Sequence, residues 1–178
     1  FKYSLKNKKL INGLVNNAGQ RQRKKFVDIS KKELKNIFDT NFFSIFYLLQ
    51  LYLKYLQAHK ISSSIVNLGS IVGKLGFNDL SGYASTKSAL EGLTKSLVYD
   101  FSKIDSRINI INPGFTKTSF YSKFKKQKEL YKWTLSRTPL NRWAEPNEIS
   151  NIIIFLLSDY SNYTTGETIA VDGGWSNT

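Results

Sequence analysis

The 178-residue sequence contains no cysteine and no long apolar run. Without cysteine the chain cannot form a disulfide framework or a thiolate metal site, which is consistent with a reducing, cytoplasmic location. The most apolar stretch, FFSIFYLLQLYLKYL, includes Gln50 and Lys54. It is also shorter than the roughly 18 residues that a membrane span requires. We therefore expect a cytoplasmic protein with no membrane partner and no metal site.

Acidic residues are scarce, with 13 Asp and Glu against 26 Lys and Arg and a formal net charge of +13. A protein with such a charge can bind nucleic acid, an acidic membrane or an anionic substrate. The basic residues are dispersed along the chain, however, and do not follow a pattern. We therefore expect no nucleic-acid partner and attribute most of the charge to a lysine-rich composition.

Short apolar runs alternate with helical patterns along the whole chain. The runs have the profile of strands that end in small or polar residues, and they cover 10–19, 62–70, 107–114 and 166–175. The helices are predicted at 31–56, 81–104 and 145–159. Ser30 and Glu33 form a capping box before the first helix, and Pro146 stands in the first turn of the last. This alternation predicts one α/β domain over 1–178, with a parallel sheet between two layers of helices.

The predicted strands all end in residues that suit a binding site. In a parallel α/β sheet, ligands gather at the carboxyl ends of the strands. Those ends are Asn16 to Gly19, Gly69 and Ser70, Pro113 to Thr118, and Asp172 to Gly174. We expect a site where these segments converge.

Tyr83 and Lys87 are four residues apart in the predicted helix 81–104, so they share one face. Tyrosine ionises near pH 10, and a neighbouring ammonium would lower that pKa enough for acid–base work. Ser70 precedes Tyr83 by thirteen residues and can supply a facing hydroxyl. The spacing alone is equally typical of a surface pair whose aliphatic stems are buried.

Five motifs in one order turn this pair into a specific hypothesis: NNAG at 16–19, Asn41, GS at 69–70, YASTK at 83–87 and NPGFTKT at 112–118. Together with the segment 139–175 they closely resemble the classical short-chain dehydrogenase/reductase family, in particular its 3-oxoacyl-(acyl-carrier-protein) reductase-like members. The resemblance covers essentially all 178 residues. It implies a Rossmann-like, doubly wound parallel sheet in a three-layer α/β/α arrangement.

The resemblance also implies an NAD(P)-dependent oxidoreductase that interconverts a carbonyl and a secondary alcohol. Tyr83 would be the general acid or base, and Lys87 would lower its pKa and bind the nicotinamide ribose. Ser70 would hold the substrate oxygen, and Asn41 would support a proton relay behind Lys87. The cofactor, NAD or NADP, would contact Asn16, Asn17, Ala18, Gly19, Tyr83, Lys87, Pro113, Gly114, Thr116 and Thr118.

The family's usual opening, a glycine-rich βαβ unit, does not occur in this sequence, which begins at Phe1. We therefore expect an incomplete NAD(P)-binding domain whose first strand is an unpaired edge. On this interpretation the 178 residues alone are inactive, and the residue that selects NAD or NADP lies elsewhere. The alternative is a non-catalytic remnant that has lost its cofactor-binding half.

Two further segments allow competing interpretations. The glycines of GSIVGKLG at 69–76 are predicted to shape a loop that carries Ser70, because the next helix is expected only near Ser81. The segment after Pro113 is basic, which fits either an anionic, carrier-bound substrate or simply a solvated lid. From the resemblance we expect a homodimer or homotetramer that acts on a small-molecule or carrier-bound carbonyl or alcohol.

Overall fold

A computed structural model describes residues 10–119 and 121–177. Its centre is a parallel sheet in the order β1-β2-β3-β4. The strands are β1 Gly13–Asn16, β2 Ser64–Leu68, β3 Arg107–Pro113 and β4 Thr168–Val171. Their register pairs Asn16 with Asn67 and Asn112 with Ala170, so the carboxyl ends lie along one edge of the sheet.

The central strands are buried on both faces, as expected for a parallel sheet covered by helices. Every residue of β2 is buried, whereas β1 leaves Gly13 and Val15 exposed. In the described part of the chain β1 pairs with β2 alone, which makes it an edge strand. Its exposed backbone groups are available for another strand.

Helices cover the two faces of the sheet. On one face lie α1 Lys31–Phe38, α2 Ser44–His59, α4 Ser81–Ser96 and α5 Val98–Ser102, and on the other lies α8 Pro146–Leu157. Because successive strand residues point to opposite faces, Ile65 packs with Leu49 and Leu90, whereas its neighbour Val66 packs with Leu156. The predicted α/β fold with helices on both faces is confirmed.

The predicted helix starts are confirmed, but two helices are not continuous. Ser30 and Glu33 form a full capping box before α1, and Pro146 opens α8. The segment 31–56, expected as one helix, contains a π-helical turn at Asp39–Phe43. The extra residue of this turn rotates Asn41 into the interior, where it is completely buried.

The predicted helix 81–104 was also too long, because α4 ends at Ser96 and α5 begins again at Val98. The break lets Phe101 turn inward and become fully buried in the core beside Ile108. A short helix, α3 Ile71–Lys74, follows Ser70 directly, so the prediction that no helix begins before Ser81 was wrong.

The basic segment after β3 forms two short helices, α6 Tyr121–Lys125 and α7 Lys128–Ser136. They pack around Trp143, whose ring lies 5.0 Å from Phe124 and 4.9 Å from Phe115, centroid to centroid. The Trp143 indole also donates a hydrogen bond to the Thr134 hydroxyl at 2.8 Å. These contacts hold the segment over the carboxyl edge of the sheet.

Candidate functional site

Two cavities meet at the carboxyl edge of the sheet. The apolar cavity, of about 340 Å³, is walled mainly by Ile71, Val72, Phe77, Phe115 and Trp143. The polar cavity, of about 280 Å³, is lined by Asn17, Gly19, Gln20, Leu68, Gly69 and Lys87. Both cavities are also lined by Arg21, Ser70, Tyr83, Pro113 and Gly114. A molecule in either cavity therefore reaches the same hydroxyl groups.

Lys87 is almost completely buried, and its ammonium donates a hydrogen bond of 2.7 Å to the Leu68 carbonyl at the end of β2. Burial lowers the pKa of Lys87 to about 8. The cation thus remains mostly protonated at neutral pH. It faces the polar cavity, where it can donate further hydrogen bonds to a bound molecule.

Tyr83 lies one helical turn before Lys87, whose Nζ is 5.8 Å from the phenol ring centroid. Burial raises the pKa of Tyr83 above its usual value, while the hydrogen bond with Ser70 and the positive charge of Arg21 act in the opposite direction. The groups that lower this pKa here are Ser70 and Arg21, and the expected contribution of Lys87 stays a prediction. In this structure the net shift is upward, and the cation that opposes it is Arg21.

Ser70 is held at the junction of β2 and α3 by two hydrogen bonds. Its hydroxyl accepts from the backbone N–H of Val72 at 3.2 Å and so caps α3. Its own N–H donates to the Asn112 side-chain carbonyl at 3.0 Å. These bonds fix the backbone of Ser70, which lines both cavities together with Tyr83.

Gly69 and Gly73 allow this close packing. A Cβ on Gly69 would lie 1.9 Å from the Asn112 Oδ1, and one on Gly73 would lie 3.0 Å from the Cβ of Lys87. The absence of a side chain at Gly69 therefore leaves room for the Asn112 side chain, and its absence at Gly73 lets α3 pack closely against α4. The predicted role of these glycines in shaping the Ser70 segment agrees with this packing.

Asn41 braces the loop that follows β1. Its side chain accepts a hydrogen bond from the Gln20 N–H at 2.8 Å and donates to the Gln20 carbonyl at 2.9 Å and to the Thr86 hydroxyl at 3.1 Å. A Cβ on Gly19 would lie 3.4 Å from the Asn41 Oδ1 and 3.7 Å from the Lys87 Nζ. Asn41 therefore lies behind the polar cavity and does not line it.

The other predicted cofactor residues divide into three groups. Asn17, Gly19, Pro113 and Gly114 line the polar cavity, whereas Thr116 and Thr118 line the apolar one. Asn16 is buried and donates to the Asn67 side chain at 2.7 Å, which ties β1 to β2. Ala18 is exposed and lines neither cavity.

The four strand ends do not contribute equally. The first three line the cavities, but Asp172 at the fourth lies behind Gly114, where a Cβ would come within 2.7 Å of the Asp172 Cα. The Asp172 carboxylate accepts from the N–H groups of Gly174 and Ser176, both at 2.9 Å. This end of the sheet therefore supports the wall of the site from behind.

Sequence reasoning missed three residues of the site: Arg21, Asn112 and Trp143. Arg21 follows the NNAG motif by two residues, and Asn112 is the first residue of the NPGFTKT motif, although its contact with Ser70 was not predicted. No local pattern indicates which side chain of the basic loop 20–25 turns inward. The position of Trp143 depends on how the segment after β3 folds back.

Over residues 10–119 and 121–177, no three His, Asp or Glu side chains come together as a metal-ligand group. Within the same ranges, no helix is long and apolar enough to cross a bilayer.

Comparison with known proteins identifies relatives along the whole chain. A family model described as enoyl-(acyl carrier protein) reductase matches residues 1–176. A tropinone reductase homolog from Arabidopsis thaliana is 37% identical over 166 residues, which cover 93% of this chain and 62% of the relative. A 3-oxoacyl-(acyl-carrier-protein) reductase from Thermotoga maritima is 34% identical over 165 residues, 92% of this chain and 65% of the relative.

Solved structures share the fold. 4-Hydroxyisoleucine dehydrogenase complexed with NADH superposes with a TM-score of 0.94 at 30% identity, covering 100% of this chain and 73% of that one. A gluconate 5-dehydrogenase from Burkholderia cenocepacia in complex with NADP and tartrate gives a TM-score of 0.93 at 26% identity, with 99% and 69% coverage.

The chain spans between 50% and 66% of the length of the curated relatives it matches. Within that span the order of the motifs, the parallel sheet and the cavities at its carboxyl edge agree with the match of the family model. The chain belongs to the short-chain dehydrogenase/reductase family.

Proposed function

We propose that the whole protein is an NAD(P)-dependent oxidoreductase that interconverts a carbonyl group and a secondary alcohol. The observation that carries this proposal is the convergence of Ser70 and Tyr83 on the wall shared by the two cavities, with Lys87 in the polar one. Two hydroxyl groups and a buried cation are the groups that a carbonyl reduction needs for proton transfer.

The polar cavity suits a nicotinamide nucleotide. Lys87 and Asn17 offer hydrogen-bond donors to ribose hydroxyls, and Gly19 and Gly114 line the same cavity. The nicotinamide, when bound, would supply or accept the hydride. Structures of relatives complexed with NADH or NADP support this class of cofactor. The contacts predicted for Thr116 and Thr118 remain part of this proposal.

Tyr83 would donate its proton to the substrate oxygen during reduction and take it back during oxidation. Its raised pKa keeps the phenol protonated at neutral pH, which suits the acid role. The Ser70 hydroxyl would donate to the same oxygen, and Arg21 would stabilise the phenolate that remains. General acid–base assistance of this kind contributes about 10²–10⁴ in rate.

Asn41 would act through its neighbours. It fixes the Gln20 backbone beside Lys87, and the Thr86 hydroxyl that receives its hydrogen bond donates in turn to the Tyr83 carbonyl at 2.7 Å. The proposed proton relay behind Lys87 would start at this point.

The substrate would be a small-molecule or carrier-bound carbonyl or alcohol. The basic segment after Pro113 is in part neutralised locally, because Lys117 pairs with Glu145 and Arg142 pairs with Glu148. This pairing favours the interpretation as a solvated lid.

We further propose that the whole protein is a cytoplasmic homodimer or homotetramer, and that the 178 residues by themselves are inactive.

Replacing Tyr83 with Phe in the whole protein tests the proposal. Tyr83→Phe removes only the phenolic oxygen, so turnover should fall by at least about 10²-fold while cofactor affinity stays within about twofold. Tyr99→Phe is the matched control, because Tyr99 is exposed on α5, and it should keep wild-type turnover.

Turnover should be followed by nicotinamide absorbance and cofactor binding by fluorescence titration. Turnover that survives Tyr83→Phe would show that Tyr83 is not the acid. A wild-type protein that binds cofactor but reduces no ketone or aldehyde would instead support a non-catalytic remnant.

A further inference from the structure

The apolar cavity contains a cation beside its hydroxyl groups. Arg21 lies in the loop between β1 and α1 and lines both cavities. Among the described residues that line the apolar cavity, Arg21 is the only charged one. A negatively charged group that enters this cavity would therefore meet Arg21 and no opposing carboxylate.

Arg21 is close enough to the reacting groups to act on them. Its charge lowers the pKa of Tyr83, against the effect of burial. Burial lowers the pKa of Arg21, the nearby Tyr83 raises it and Arg23 lowers it, with a net shift downward. A guanidinium presents paired N–H donors that match the two oxygens of a carboxylate, so an anionic group is the ligand that this side chain would bind best in the cavity.

The shape of the cavity limits what this anion can be. Its volume of about 340 Å³ lies at the lower end of the range for small-molecule sites. Its walls are aliphatic and aromatic, apart from Ser70, Tyr83, Arg21 and the threonines of the 116–118 turn. A short carbon chain with an oxygen near Ser70 and Tyr83 and an acid group near Arg21 would match these three side chains.

We propose that Arg21 binds a carboxylate of the substrate, so that the preferred substrates are short hydroxy acids and oxo acids. This inference rests on the proposed function, because the carbonyl must lie against Ser70 and Tyr83 while the carboxylate reaches Arg21. It also separates two substrate classes, since an acyl thioester on a carrier protein has no free carboxylate at the end that enters the site.

Matched substrate pairs test this role. The whole protein would be assayed with short 2-oxo and 3-oxo acids, acetoacetate among them, and with their methyl esters, using NADH and NADPH. Arg21→Gln should lower kcat/KM for the acids by at least about tenfold relative to the esters, because a hydrogen-bonded charge pair is lost. The decisive readout is the ratio of kcat/KM for an acid to kcat/KM for its ester. Any effect of Arg21 through Tyr83 lowers kcat/KM for both substrates equally and leaves this ratio unchanged.

Arg23→Gln is the control. It removes the same charge two residues away, from a side chain that does not line the apolar cavity, and it should leave the acid-to-ester ratio unchanged. An equal loss on acids and esters in Arg21→Gln, or the same change in ratio in both variants, would overturn the assignment. Arg21→Lys, which keeps the charge but not the paired donors, should restore part of the preference.

A binding measurement separates the proposed carboxylate site at Arg21 from the proposed oxidoreductase reaction. Succinate titrated by calorimetry into the cofactor-loaded protein should bind to wild type and Arg23→Gln and lose at least about tenfold in affinity in Arg21→Gln. Reduction of esters with no preference for acids and no succinate binding would refute the Arg21 site while leaving the oxidoreductase proposal intact. Succinate binding that requires Arg21, without turnover of any pair, would support the site and count against the proposed reaction.

Discussion

Lys87 should make the stability of this protein depend on pH in a way that one substitution removes. The ammonium is buried at 6% exposure, and burial lowers its pKa from 10.5 to about 8. The unfolded chain therefore holds this proton more tightly than the folded chain does. Between these two values the free energy of unfolding must rise with pH.

The size of the effect follows from the shift. A difference of about 2.5 pKa units corresponds to roughly 3 kcal/mol in total, of which about 2 kcal/mol is gained between pH 7 and pH 9.5. In Lys87→Met this contribution is absent, because the thioether does not titrate. Between pH 7 and pH 9.5, the free energy of unfolding of the variant should therefore rise by about 2 kcal/mol less than that of the wild type.

Urea unfolding of the whole protein without nucleotide, followed by tryptophan fluorescence, would measure this difference. Each variant should be unfolded at several pH values between 7 and 9.5, and its free energy of unfolding should be compared with wild type at each one. Lys74→Met, at an exposed lysine of α3, is the control and should retain the wild-type dependence on pH. If the free energy of unfolding of Lys87→Met changed with pH in the same way as that of the wild type, the reasoning would be refuted, because burial would then not lower the pKa of Lys87.

The support of Ser70 leads to two further predictions. Gly69→Ala would place a Cβ 1.9 Å from the Asn112 Oδ1 and should lower the free energy of unfolding by about 2–3 kcal/mol, whereas Gly76→Ala, with no atom within 4 Å, should be neutral in the same denaturation assay. Equal effects at the two glycines would contradict the packing described. Asn112→Leu should cost about 1–3 kcal/mol, because the Ser70 N–H loses its acceptor, and unchanged stability would show that this bond does not hold Ser70.

Much of the fold could be predicted because it depends on local signals. The capping box at Ser30, the proline at the start of α8 and the apolar strands are each encoded within a few neighbouring residues. The breaks in the helices could not be predicted in this way. The π-helical turn around Asn41 and the end of α4 at Ser96 are set by packing against the sheet, which overrides helix propensity.

The candidate site shows the same division. Tyr83 and Lys87 are one turn apart on a helix, so their common face follows from spacing. The pKa of Tyr83 does not follow from spacing, because it depends on how deeply the phenol is buried and on a cation from another element. Spacing along the helix therefore could not indicate that burial gives a net upward shift.

The sequence by itself determined the alternation of strands and helices, the order of the motifs and the family to which the chain belongs. These features depend on residue type and on separations along the chain. The tertiary structure decided that Arg21 faces the cavities, that Asn112 holds Ser70 and that Asn41 holds the backbone of Gln20. Each of these contacts joins residues 20 or more positions apart. Such contacts form only where the sheet brings the ends of separate strands together, and short-range patterns carry no record of them.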